Sequence, residues 1–153
     1  PLQTYMTLEW TMDNTQVPGV GWFLCESDHK GKKSAITGKR EGDVMIFETR
    51  STGTYELDQD LQKPTISIVS RTPSARPNSN FRQLLVRAAD DKTGVDRYSA
   101  RIDGEFVRID FDYKQELLKV IVPKDIPAGN HNLRVVVIDG VGNTAVEEYS
   151  ITL

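Results

Sequence analysis

Short apolar stretches recur along this chain with a period of two, and a helical period is nearly absent. In Met6-Thr-Leu-Glu-Trp-Thr-Met12, residues Met6, Leu8, Trp10 and Met12 share one face, and Thr7, Glu9 and Thr11 share the other. Side chains alternate across an extended backbone, so this pattern reads as a half-buried strand. It assigns Trp10 to a core rather than to a ligand platform. Similar runs rich in Val, Ile, Thr, Tyr and Phe follow, punctuated by Gly, Pro, Asn and Asp. That rhythm predicts an all-β protein built as a sandwich or barrel.

The first half predicts further strands at 20–26, 33–37, 43–50 and 54–57, with turns at 28–31 and 40–42. A boundary is expected in the polar stretch 58–64, where Pro64 restricts its neighbour and starts a new extended run. The chain of 153 residues then divides into two tandem β-domains, 1–62 and 63–153. The first is small, and its start inside a strand suggests that a piece is missing. The second shows seven strands at 65–69, 82–89, 95–103, 105–112, 116–122, 132–138 and 143–152. That count suits an immunoglobulin-like or fibronectin-like sandwich.

Charge separates the halves. Residues 1–62 carry 6 basic and 10 acidic side chains, and residues 63–153 carry 13 and 12. The whole stands at −3, which gives no electrostatic case for nucleic acid. The longest apolar runs, such as 135–138, are too short to cross a bilayer, so no transmembrane segment is expected. The chain begins with Pro and lacks a charged leader followed by an apolar run, which reads as a processed chain or an excised fragment. Cys25 is the single cysteine. It follows Phe23-Leu24, where a lipid anchor needs small residues, and reads as a small hydrophobe in a strand.

Ile102-Asp-Gly-Glu105 carries the clearest local signal. Asp103-Gly104 between alternating runs marks a two-residue hairpin. The implied register sets Ile102 opposite Glu105, Ala100 opposite Val107 and Tyr98 opposite Ile109, all facing inward. Arg101 then opposes Phe106, Ser99 opposes Arg108 and Arg97 opposes Asp110 on the outward face. This makes Arg97, Arg101, Phe106 and Arg108 the candidate binding face, against the simpler reading of a solvated surface paired within itself. Arg71, Arg76 and Arg82 flank the long loop 71–80 and could meet an anion, although a solvated loop is the simpler reading.

The string Gly140-Val-Gly-Asn-Thr-Ala145 matches a dinucleotide-binding spacing, but that chemistry needs a following helix and an acidic residue about 20 positions on. An alternating strand follows instead. Asp139, Gly140, Gly142 and Asn143 therefore read as a turn, with positive φ at Gly140, Gly142 and Asn143 and with Asp139 bonding backbone amides. The zinc inventory is Cys25, His29 and His131, which no local spacing brings together. Asp90, Asp91 and Asp96 surround a glycine turn and raise calcium, without the EF-hand pattern. No G-x-S-x-G elbow is present, and nothing singles out a glycosidase pair among the 22 acids. No catalytic residue, cofactor or metal ligand is assigned.

An ordered set of motifs carries a resemblance. It runs from Thr49-Arg-Ser-Thr-Gly-Thr-Tyr-Glu-Leu57 through Pro64-Thr-Ile66 and Asp90-Asp-Lys-Thr-Gly-Val95. It continues through Ala100-Arg-Ile-Asp-Gly-Glu-Phe-Val-Arg-Ile-Asp-Phe-Asp112 and ends with Gly129-Asn-His-Asn-Leu-Arg-Val-Val-Val-Ile-Asp-Gly-Val-Gly-Asn143. It resembles the β-sandwich region that follows the catalytic domain in envelope-located, lysostaphin-type (LytM-like) zinc peptidases of Gram-negative bacteria. That family's catalytic motifs are His-x-x-x-Asp and His-x-His. Here His29 is followed at four by Lys33, and His131 by Asn132-Leu133. The resemblance therefore implies a non-catalytic accessory region, periplasmic or anchored at the outer membrane. Its implied partners are a peptidase domain in the same parent chain, and peptidoglycan or another glycan. The alternatives are a stand-alone glycan- or surface-binding module and a hydrolase with an unrecognised acid pair.

Overall fold

The computed structural model describes residues 4–12, 20–75 and 82–153. Among them it holds fifteen strands and no helix, so the protein is all-β. Two compact units are present. The first comprises Pro1–Gln62 with the loops Asp91–Gly94 and Gly140–Asn143. The second comprises Lys63–Asp90, Val95–Asp139 and Thr144–Leu153. A division by chain order alone would give those two loops to the second unit.

The first unit contains β1 (Met6–Thr11), β2 (Trp22–Ser27), β3 (Lys33–Thr37), β4 (Lys39–Glu41), β5 (Val44–Thr49) and β6 (Thr54–Gln59). They form two antiparallel three-stranded sheets, β1-β5-β4 and β3-β2-β6. Met12, Leu24, Met45 and Phe47 make the core, with Leu8, Trp22, Ile36, Tyr55 and Leu57 packed against it. Two expectations change here. Arg40 and Glu41, read as a turn, extend β4 and pair with Met45 and Val44, which tightens the turn to Gly42-Asp43. Trp10 does alternate with Leu8, but it is 39% exposed. Its strand is an edge strand with β5 as its one neighbour, so the large indole overhangs the sheet instead of filling the core.

Gly38 carries the chain from β3 in one sheet to β4 in the other. A Cβ there would lie 2.5 Å from the Ile46 carbonyl oxygen and 2.5 Å from the Phe47 ring. Only a residue without a side chain lets the crossing lie this close to β5. The two loops join this unit through Asp60, which is fully buried. Its carboxylate accepts from the Thr93 hydroxyl at 2.9 Å and the Gln62 amide at 3.1 Å. The Asn143 side-chain amide donates to the Asp60 carbonyl at 3.0 Å.

The second unit contains β7 (Thr65–Ile68), β8 (Ser74–Ala75), β9 (Arg82–Ala89), β10 (Val95–Ile102) and β11 (Glu105–Val107). It continues with β12 (Ile109–Asp112), β13 (Leu117–Val122), β14 (Asn130–Asp139) and β15 (Thr144–Thr152). One sheet runs β11-β10-β14-β15; the other runs β12-β13-β9-β7, with β8 also on β9. Period-two patterning builds the core directly. Leu84, Val86 and Ala88 from β9 meet Leu118, Val120 and Val122 from β13, and Leu133, Val135 and Val137 from β14. Burying one such aliphatic side chain stabilises by roughly 1.5–3 kcal/mol.

The hairpin register holds for three pairs: Ile102 with Glu105, Arg101 with Phe106 and Ala100 with Val107. It then stops. The expected single strand 105–112 breaks at Arg108, and β12 leaves β10 to pair with β13, Ile109 lying opposite Val120. Tyr98–Ile109, Ser99–Arg108 and Arg97–Asp110 therefore do not form. The partners of Tyr98, Ser99 and Arg97 are Val137, Val136 and Ile138 on β14. The switch seats Ile109 and Phe111 against the same core from the other sheet.

The turn after β14 also differs in detail from its expected form. Positive φ occurs at Gly142 (97°) but not at Gly140 or Asn143. Gly140 is needed for space: a Cβ would stand 2.9 Å from both the Thr37 methyl and the Thr93 carbonyl oxygen. Asp139 is buried at the end of β14.

Candidate functional site

The β10–β11 hairpin brings two of the four candidate binding residues together. Asp103 (φ 50°) and Gly104 (φ 89°) occupy the turn, both in the left-handed region that a two-residue primed turn requires. The turn sends the chain back so that Arg101 and Phe106 stand directly opposite. The Arg101 guanidinium carbon lies 3.7 Å from the Phe106 ring centroid, and Arg101 Nη1 donates to the Gly104 carbonyl at 2.9 Å. The ring is thus backed by a cation that is itself tied to the turn. Phe106 remains 68% exposed, the largest exposure among the described large hydrophobics.

Arg97 and Arg108 do not join this pair. Arg97 Nε lies 3.3 Å from Asp96 Oδ2. Arg108 binds Asp110 through Nε at 3.2 Å and Nη2 at 3.0 Å. Both guanidiniums form exposed pairs with nearby carboxylates, and the sheet switch takes Arg108 out of the β10 register. Arg71 donates to the Ser150 carbonyl at 3.0 Å, and Arg76 lies outside the described residues.

A polar cluster at the surface supports the turn. The Asp103 carboxylate accepts from the Asn132 amide at 2.8 Å and lies 2.5 Å from His131 Nδ1. His131 Nε2 lies 3.0 Å from the Pro127 carbonyl oxygen. The Asn132 amide and His131 hold Asp103 below the usual carboxylate range, and Asp103 raises His131 above its ordinary 6.5. Nothing in the local sequence announces this pair, since the two residues are 28 apart.

Residues that the sequence reading did not single out form two aromatic features. In the second unit Tyr98 and Phe111 have ring centroids 5.3 Å apart, and Phe111 and Tyr113 have centroids 4.3 Å apart. Tyr113 is 67% exposed. The sheet switch creates this ladder by moving Phe111 onto β12. Burial pushes the Tyr98 phenol up, aided by Tyr113 and Asp110. Beside it Lys119 Nζ binds Asp112 at 2.9 Å and lowers that carboxyl. In the first unit, Arg50 stacks on Tyr5 at 4.0 Å. Tyr5 walls an open groove of about 350 Å³ lined also by Thr37, Gly38, Lys39, Ile46 and Glu48.

Among the described residues Cys25, His29 and His131 share no cluster of metal-ligating side chains. Cys25 is half-buried on β2, and both His131 nitrogens face acceptors. Asp90, Asp91 and Asp96 are not gathered into one ligand set among the described residues. Glu26, buried on β2, accepts a hydrogen bond from the Ser51 hydroxyl, which fastens the chain after β5. No helix among the described residues is long and apolar enough to cross a membrane. No protein-family model matches the chain, and no curated protein matches it.

Proposed function

We propose that the chain is a non-catalytic accessory region of an exported cell-envelope peptidoglycan peptidase, and that it makes contact through the β10–β11 hairpin. The observation that carries the contact surface is the exposed Phe106 ring held against Arg101. An aromatic side chain that stays rigid while exposed gives contact area at low entropic cost. The reading of the second unit as an immunoglobulin-like sandwich is supported by its two antiparallel sheets around one core and by the chain crossing between them at Arg108. The peptidase association and the periplasmic or outer-membrane-anchored location rest on the ordered motifs between Thr49 and Asn143.

The test is binding of the chain to insoluble peptidoglycan and to the peptidase domain encoded by the same reading frame. Retention by either, reduced about tenfold or more by Phe106→Ala with Arg101→Ala, is the expected result. Equal retention of the double variant would remove the hairpin as the contact surface. A parent frame without a peptidase domain would remove the accessory role.

The groove at Tyr5 favours a second reading, a stand-alone glycan-binding module. A ring fixed by Arg50, a donor at Lys39 and acceptors at Glu48 and Thr37 suit the apolar face and hydroxyls of a sugar. Loss of glycan binding in Tyr5→Ala but not in Phe106→Ala would favour it.

A further inference from the structure

We propose that His131 is a pH-sensitive latch that, as imidazolium, ties the β10–β11 turn and the β13–β14 connection to one ring, and that releases the connection when it loses a proton. Nδ1 faces the Asp103 carboxylate at 2.5 Å, and Nε2 faces the Pro127 carbonyl at 3.0 Å. An ionised carboxylate and a carbonyl only accept hydrogen bonds. Only the doubly protonated ring can donate to both. A neutral ring keeps one N–H, so one contact becomes lone pair against lone pair.

Which contact is lost follows from charge and distance. Asp103 is anionic and closer, and charge-assisted hydrogen bonds are about twice as strong as neutral ones. The remaining proton stays on Nδ1, and Pro127 is released. Asp103 keeps its second anchor on the Asn132 amide at 2.8 Å, so the turn itself holds. The connection keeps its far end, where Gly129 and Leu153 exchange hydrogen bonds at 3.1 and 2.9 Å. The freed stretch is therefore short, around Pro127 and Ala128.

The surroundings of the ring are mixed in charge. Asp103 faces it from the turn, and Arg82 from β9 opposes its protonation. Its register partner on β15 is the uncharged Ile151. Lys124 and Asp125, on the connection itself, are exposed. The His131 side chain is 12% exposed and the Asp103 side chain 52%, so the ring is covered while the carboxylate stays in contact with solvent. The hold is complete below the ordinary histidine value of 6.5 and fades as pH rises through the higher value that Asp103 imposes. The inference stands whatever the hairpin contacts.

The test is ¹⁵N NMR of the imidazole with the ¹³C resonance of the Pro127 carbonyl, at about pH 5.5 and about pH 8.5. Expected are two protonated ring nitrogens at the lower pH and a proton on Nδ1 alone at the higher. The Pro127 carbonyl ¹³C resonance should shift across the same step, as its hydrogen bond from the ring is lost. His131→Gln should flatten that step. Titration at or below 6.5, a neutral ring protonated on Nε2, or a Pro127 carbonyl resonance that does not move with pH in the wild-type chain would each overturn the latch. The wild-type ring measurement decides the matter even if His131→Gln fails to fold.

Discussion

A few residues do work in this protein that their type alone would not announce. Gly38 is one. Its missing Cβ lets the chain change sheets against Ile46 and Phe47, at a distance of 2.5 Å that no side chain tolerates. Gly38→Ala should therefore destabilise the first unit by about 1–3 kcal/mol, read by chemical denaturation. Asp103 is another. It sits at a positive φ, caps the Asn132 amide and charges His131. Its carboxyl is held low, so its contribution is present above the ordinary value of 3.8 and is lost as pH falls through the lower folded value. The His131 contribution runs the other way and is lost as pH rises above 6.5. Together they predict that the β10–β11 turn and the β13–β14 connection are most firmly tied to one another between those two values. Asp103→Asn should lower hairpin protection in amide exchange within that window and remove its dependence at the acid end.

At the scale of elements, the strands were largely legible because one physical rule writes them. A strand with one face in the core must alternate, and β9, β10, β13 and β14 do so through Leu84, Ala100, Val120 and Val135. Leu133→Ala, in the middle of that pattern, should cost about 2–5 kcal/mol and speed amide exchange across β14. The Asp-Gly turn was legible for the same reason, since few dipeptides accept two positive φ angles. What the alternation cannot say is which sheet a strand belongs to. Residues 105–112 alternate without a gap, yet the pairing changes at Arg108. That one switch dissolved the expected Arg97–Asp110 and Ser99–Arg108 pairs and left the candidate face with Arg101 and Phe106. It also built the Tyr98–Phe111–Tyr113 ladder, whose members share no sequence signal. Arg108 and Asp110 now form an exposed pair on one segment, worth roughly 0–1 kcal/mol. Arg108→Ala should accordingly leave the denaturation midpoint of the second unit nearly unchanged.

For the whole molecule, two hydrophobic cores organise the chain, one around Phe47 and Leu24 and one around Val86, Leu118 and Val135. Each responds to its own substitutions. Phe47→Ala should cost about 3–5 kcal/mol, with the loss of exchange protection centred on β2 and β5. Function is less evenly written than fold. A core repeats its rule at every second residue, whereas a contact surface is a few side chains whose meaning depends on a partner. Most polar groups near the hairpin are already satisfied within the chain, Arg97 by Asp96, Arg108 by Asp110 and His131 by Asp103. What remains presented outward is Phe106 on its guanidinium support. The most direct test of the account is therefore sedimentation of the chain with insoluble peptidoglycan, wild type beside Phe106→Ala/Arg101→Ala. Co-sedimentation that the double variant loses, with its denaturation midpoint retained, is the predicted result. Equal co-sedimentation of both, or none by the wild-type chain with either the glycan or the parent peptidase domain, would contradict it.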